Sequence, residues 1–324
     1  MREFPAMVAN PFDEPLLFDL TGRGEIVLSG KDRAPFLHGL VTNDVKKLRP
    51  GEGCPAAFLT PKGKLLADLV VLCAPDELVV DTPPELAKKV ETLLRKYLMF
   101  GDVAIENRTE ATGVLHVEGR ETEEVLRKGT GQEGPAEPRS HLVVEGTRVV
   151  RESRGGFSGF DLRVPRALLE STRSRLLDAG AVPAPLPVLE GARIEAGIPR
   201  WGAELTENVL PDEAGLPARG WVSYTKGCYI GQETVARIRT YGHVNRNLVG
   251  LILEGDVPPP AGAEIRAGGA KAGAVTSGAL SGRLGTAIAL GYVHREYAAP
   301  GTGVVVLLPS GSSAATVSAL PFSG

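Results

Sequence analysis

The residues best suited to chemistry stand in one short segment, Lys226-Gly227-Cys228-Tyr229-Ile230-Gly231-Gln232-Glu233. A thiol reacts as its thiolate, and nearby cations or a helix N-terminus favour that form. Lys226 precedes Cys228 by two residues, and the run from Ile230 to Arg239 patterns as a helix starting just after it. The spacing predicts a functional thiol at Cys228 with a depressed pKa, and Lys226 as its partner cation. Gly227 and Gly231 on either side point to a close backbone approach. The competing reading is a small buried cysteine in a glycine-rich turn. Cys54 and Cys73 lie in apolar, strand-like runs and are expected to stay protonated and inert.

A second constellation lies in "EGARIEAGIPRWG", residues 190–202. Helical spacing sets Glu190, Arg193 and Ile194 on one turn and Glu195 on a different face. A carboxylate near the end of a short helix can accept two N–H bonds from the edge of a planar heterocycle. The alternative is an Arg–Glu surface pair. The glycine-dense run "RESRGGFSGFDLRVP" lacks phosphate-loop spacing and reads as a turn scaffold. The five histidines are scattered, so no metal is assigned, and no G-x-S-x-G occurs.

The elements that must position these groups alternate strand pairs with single helices. "GEIVLSG", "LADLVVLCAP" and "ELVVDT" pattern as strands, the last two joined at Pro75-Asp76. "PPELAKKVETLLRKYLMF" spaces Leu86, Val90, Leu93, Leu94 and Tyr97 as a helix face. Strands are predicted at "GDVAIEN", "TGVLHVEG", "HLVVEG" and "RVVRES", and a helix at "PRALLESTRSRLLDAGA" ending at Gly180. From about Asn247 short β runs are broken by Gly and Pro with no helical period. The fold class is therefore α+β with a C-terminal all-β barrel.

Composition bounds the function. The 324 residues are 43% hydrophobic and 23% charged, enough for two or three domains with real cores. A net charge of -3 gives no reason to expect direct nucleic-acid binding. Three cysteines without a CxxC pair read as a reducing compartment. No run approaches the roughly 20 apolar residues of a membrane span. The expectation is a cytoplasmic monomer.

Taken together, these segments resemble the folate-binding GcvT/YgfZ superfamily. "KGCYIGQE" matches the K-G-C-Y-x-G-Q-E signature of its YgfZ branch. "FLHGLVTNDVKKLRPGEG", "LTPKGKLLADLVV", "GGFSGFDLRVP", "RIEAGIPRWGAEL", "LPDEAGL" and "TSGALSGRLGTAIALGYV" follow the superfamily's order. The resemblance implies a three-domain ring. Its parts are a central folate-binding domain (1–75 with 183–246), a ferredoxin-like domain (76–182) and a barrel (247–324). It implies tetrahydrofolate as cofactor, bound by Asp68, Arg193, Glu195, Trp201, Tyr229, Gly231, Gln232 and Glu233, with Cys228 and Lys226 as the catalytic pair. For the YgfZ branch it implies an accessory role in assembling or repairing iron–sulfur enzymes, including tRNA-modifying ones, through transient contact with those clients. The superfamily's other branch, the glycine cleavage T-protein, moves an aminomethyl group from a lipoyl carrier to tetrahydrofolate. There an Asp-Asp pair occupies the positions of Ala67 and Asp68, and the loss of one carboxylate here reads against aminomethyl transfer; a folate-dependent one-carbon transferase or a demethylase is the alternative to the accessory role.

Overall fold

The computed structural model describes residues 10–322, which form two mainly antiparallel sheets and a closed barrel. The first sheet orders its strands Gly53–Leu59, Leu65–Cys73, Glu77–Thr82, Gly24–Ser29 and Ala104–Asn107. Helices Arg33–His38 and Ala87–Tyr97 cover one face of it. Val90 and Leu94, a turn apart, bury against Ile26, Leu28, Leu78 and Val80, as the helical spacing requires. Pro83 and Pro84 introduce that helix through the short turn Pro84–Leu86.

The second sheet runs Val182–Pro183, Leu16–Asp19, Thr112–Glu118, Gly159–Pro165, Thr147–Arg151 and His141–Val144. Helices Leu169–Asp178 and Thr122–Thr130 back it, packing Leu176, Val125 and Leu126 onto Leu115, Phe160 and Leu162. This topology corrects the expected domain boundaries. A break between residues 75 and 76 falls inside a hairpin whose register pairs Val71 with Val80 and Leu72 with Val79. Dividing it would strip a buried ladder of its partners. Likewise the break at 182 cuts the short strand that pairs with Leu16 and Leu17.

A buried ion network stitches the two sheets together. Asp81 accepts from Arg23 at 2.9 and 2.7 Å and from Arg163, which also reaches Glu25 at 3.0 Å. Strands Arg246–Leu253, Thr286–His294, Ala270–Ser281, Glu264–Ala267, Gly303–Leu308 and Gly311–Ser318 close the six-stranded barrel. Val249, Leu251, Ile265, Val293, Val306 and Val317 fill it. The α+β fold with its C-terminal barrel is thus as expected. No helix among the described residues is long and apolar enough to cross a membrane.

Candidate functional site

Strand alternation decides the chemistry of the Ala67-Asp68 pair. Neighbouring side chains point to opposite faces of the sheet. Ala67, opposite Phe58, is fully buried in the core under the two helices. Asp68 lines a cavity of about 470 Å³, walled by both sheets and by the helix Leu186–Glu195. Its Oδ1 is buried with no hydrogen-bond partner. Burial pushes its pKa up to about 7, against the pull of Arg23. The argument against transfer chemistry from the missing carboxylate is therefore corrected. An acid at position 67 would face apolar core, and the one acid retained is the one that faces the cavity.

The facing wall is the loop of the glycine-dense run, and it does more than turn the chain. Glu118 is fully buried and accepts the backbone N–H groups of Arg154 at 2.9 Å, Gly155 at 2.9 Å and Phe157 at 2.7 Å. It also accepts from the Ser153 hydroxyl at 3.3 Å and meets His116 Nε2 at 2.6 Å, and His116 Nδ1 meets Asp161 at 2.8 Å. Asp161 takes the Arg154 guanidinium, with Nε at 3.0 Å. Arg154 holds the Asp161 carboxyl well below the usual carboxylate range, though burial opposes it. Around this anchor Arg139, Glu152, Ser153 and Arg154 face the cavity.

The helix Leu186–Glu195 supplies the third wall through Leu186, Leu189, Glu190 and Arg193, followed by Ile198, Arg200 and Trp201. Arg193 is 4% exposed and ties the helix to its surroundings: Glu190 at 2.5 and 3.0 Å, Glu204 at 2.7 Å, and Ser277 of the barrel at 2.6 Å. The Arg–Glu pair weighed as a surface contact is mostly buried. Glu195 is a correction. It is not among the cavity-lining residues, and its carboxylate accepts from Ser281 at 2.5 Å and Arg283 at 3.2 Å on the barrel. One turn earlier, Glu190 is the helix carboxylate that reaches the cavity.

The cysteine segment stands apart from this cavity, and Tyr229, Gly231, Gln232 and Glu233 do not line it. Lys226 buries its ammonium on the carbonyls of His38 and of Val41 (2.5 Å), at the C-terminal end of helix Arg33–His38, with the Tyr229 ring 4.9 Å away. Burial lowers its pKa to about 8. It is committed to a helix end, which corrects its assignment as the partner of the thiol. Gly231 caps helix Gln232–Tyr241 with φ +85°, and a Cβ there would overlap the Thr60 carbonyl, so only glycine fits. Gln232 accepts the Tyr229 N–H at 3.1 Å. Most of the segment is thus structural. Cys228 itself is exposed, and the Gln232 amide lies 4.0 Å from its sulfur. Cys54, by contrast, has its thiol pushed up to about 12 by burial, and burial also raises Cys73, as expected of inert thiols.

Of the predicted site residues, Asp68, Arg193 and Trp201 come together at the cavity. Arg139, Glu152, Arg154 and Trp221 join them without having been foreseen. Only the glycine-dense run after Glu152 hinted at them.

Residues 13–222 match the GCVT N-terminal domain family, and residues 246–323 match the glycine cleavage T-protein C-terminal barrel domain. The chain belongs to the glycine cleavage T-protein family. An aminomethyltransferase of Caldanaerobacter subterraneus is 30% identical over 90% of this chain and 80% of its own length. One of Rubrobacter xylanophilus is 32% identical over 94% and 82%. A putative chloroplastic transferase of Arabidopsis thaliana is 30% identical over 90% and 68%. The crystal structure of glycine cleavage system aminomethyltransferase T from Bartonella henselae superposes with a TM-score of 0.89 at 23% identity, covering 96% of this chain and 86% of that one. The matches span both the N-terminal part and the barrel.

Proposed function

We propose that this chain is a tetrahydrofolate-dependent one-carbon transferase, acting as an aminomethyltransferase on a lipoyl-bound donor. The observation that carries it is Asp68: a buried carboxyl, unpartnered at Oδ1, facing a cavity of ligand size. The relatives named as aminomethyltransferases support the same reading. The lining suits a folate. Trp201, Trp221, Leu189 and Ile198 offer apolar surface for a heterocycle, and Asp68, Glu152 and Arg154 add charged groups to two walls. Bound tetrahydrofolate supplies the amine nitrogens that take up the carbon unit. Asp68, titrating near 7, holds or releases a proton at Oδ1 at ordinary pH, which is what an acid–base group needs. Titration calorimetry of tetrahydrofolate into the wild type and Asp68→Ala tests this. A lost hydrogen bond to a charged group is worth about 1.5–3 kcal/mol, so the variant should bind about 10- to 150-fold more weakly. Equal affinity removes Asp68 from the site.

A second reading rests on one separate observation, the exposed thiol of Cys228 within a segment whose Lys226, Tyr229 and Gln232 have structural partners. It is the accessory role in iron–sulfur enzyme maintenance that the YgfZ signature implies. It predicts that Cys228→Ser fails to restore iron–sulfur enzyme activity in a deletion strain. Full rescue removes it.

A further inference from the structure

Alternation along the strand Thr112–Glu118 turns Leu115 and Val117 to the helices, and His116 and Glu118 to the opposite face of the sheet. His116 is fully buried there, and both of its ring nitrogens meet carboxylates, Glu118 at 2.6 Å and Asp161 at 2.8 Å. Both carboxylates act as acceptors toward everything else they touch. Glu118 takes the N–H groups of Arg154, Gly155 and Phe157, and Asp161 takes the Arg154 guanidinium. A neutral imidazole has one N–H and one lone pair, so one of the two contacts would set a lone pair against a carboxylate oxygen. Only the imidazolium donates at both ends.

The neighbouring charges balance only with that proton in place. Asp161 faces His116 from the strand Gly159–Pro165, and Phe18 faces it from Leu16–Asp19 with the ring centroids 6.1 Å apart. The loop after Glu152 brings Ser153 and Arg154, and the helix Leu186–Glu195 packs the apolar Leu189 and Ala192 against Gly155. Two carboxylates thus meet two cations, His116 and Arg154. Asp81, 3.7 Å from Arg154, is matched by Arg23 and Arg163. Burial works against charge on the ring, yet hydrogen bonds from Asp161 and Glu118 hold His116 above its ordinary range. Without the proton, two buried carboxylates would share one guanidinium, an uncompensated charge in a dry site.

Glu118 and Asp161 are also the points that hold the loop 153–157, through its backbone and through Arg154. That loop presents Ser153 and Arg154 to the cavity. It is wedged against the end of the helix Leu186–Glu195: a Cβ on Gly155 would lie 3.0 Å from that of Ala192, and one on Gly156 2.6 Å from that of Ala196. We infer that His116 stands as an imidazolium at neutral and mildly alkaline pH and is the positioning residue of this cavity wall. It touches no ligand. It fixes the two carboxylates that fix the loop, and loss of its charge frees Ser153 and Arg154 from their places. The consequence for ligand affinity rests on the folate reading above; the charge on the ring does not.

The test labels the full chain with 15N-histidine and reads the ring nitrogens of His116, assigned through its backbone, at pH 8. An ordinary histidine, with a pKa of about 6.5, is about 97% neutral at that pH. Both His116 nitrogens should carry a proton, and a single protonated nitrogen overturns the inference. His116→Gln, uncharged at every pH, should lose hydrogen-exchange protection at the Gly155 and Phe157 amides while the helix Leu169–Asp178 keeps its own. It should bind tetrahydrofolate at least about tenfold more weakly at pH 8. The ratio of wild-type to variant affinity, in which the titration of the ligand cancels, should follow the protonated fraction of His116 between pH 7 and 10. Variant affinity within twofold of the wild type, or a ratio that departs from that fraction, overturns the positioning role. Should the variant not fold, the ring protons at pH 8 decide, with exchange at Gly155 and Phe157 of the wild type required to quicken only as the ring loses its proton. If the wild type binds no tetrahydrofolate, the folate reading fails, while the ring protons and the loop exchange still decide the role of His116.

Discussion

Replacing Asp68 by asparagine should change the pH dependence of folding stability in a calculable way. Its Oδ1 is buried without a partner, and burial raises its pKa from 3.8 to about 7. The folded state therefore holds this proton where the unfolded chain has lost it. A proton held more tightly by the folded state makes stability fall as pH rises through the window from about 4 to about 7. The gap between the two values corresponds to about 4 kcal/mol lost above pH 7, of which about 2–3 kcal/mol is lost between pH 5 and pH 8. Asparagine has the same shape and no titration. The stability of Asp68→Asn minus that of the wild type should rise by about 2–3 kcal/mol across that interval. Every other titrating group cancels in the difference. Guanidinium unfolding at pH 5 and pH 8, with the slopes checked for equality, reads this directly. Parallel profiles, differing by a constant within about 0.5 kcal/mol, would refute the claim that Asp68 is buried without a partner.

Two other substitutions test the surrounding architecture. Arg193→Met leaves the fully buried Glu204 without its cation and should cost about 3–5 kcal/mol, seen as a drop in the denaturant midpoint. Ala67→Asp places a carboxylate in the core under helices Arg33–His38 and Ala87–Tyr97. It should destabilise by at least about 3 kcal/mol in urea unfolding and leave folate affinity per folded molecule unchanged.

Periodicity made most of the fold legible. The spacing of Leu86, Val90 and Leu94 gave a helix face, and the Pro75-Asp76 turn gave a hairpin. The helix Thr122–Thr130 went unread because its apolar residues, Val125 and Leu126, are adjacent and its flanks are charged. Domain boundaries failed for a different reason. The first strand, Leu16–Asp19, belongs to a sheet whose other members start at Thr112, and pairing over such a separation leaves no local trace. The same holds for the site. Asp68 could be picked out on its strand, but that Ala67 turns the other way follows from which sheet face carries the helices. Glu195 and Glu190 are five residues apart on one helix, and only the barrel's Ser281 and Arg283 show which carboxylate is occupied elsewhere. Lys226 looked like a partner for Cys228 by proximity in sequence, yet its ammonium is spent on the carbonyls of His38 and Val41.

The most direct test of the central claim is single-turnover formation of 5,10-methylenetetrahydrofolate from tetrahydrofolate and an aminomethylated lipoyl carrier protein. The wild type should form product at a rate typical of enzymes, about 1 per second or faster. Asp68→Asn should be slower by about 100-fold or more, the share that a positioned acid–base group contributes. A wild type that binds tetrahydrofolate but forms no product, or an asparagine variant as fast as the wild type, would contradict it.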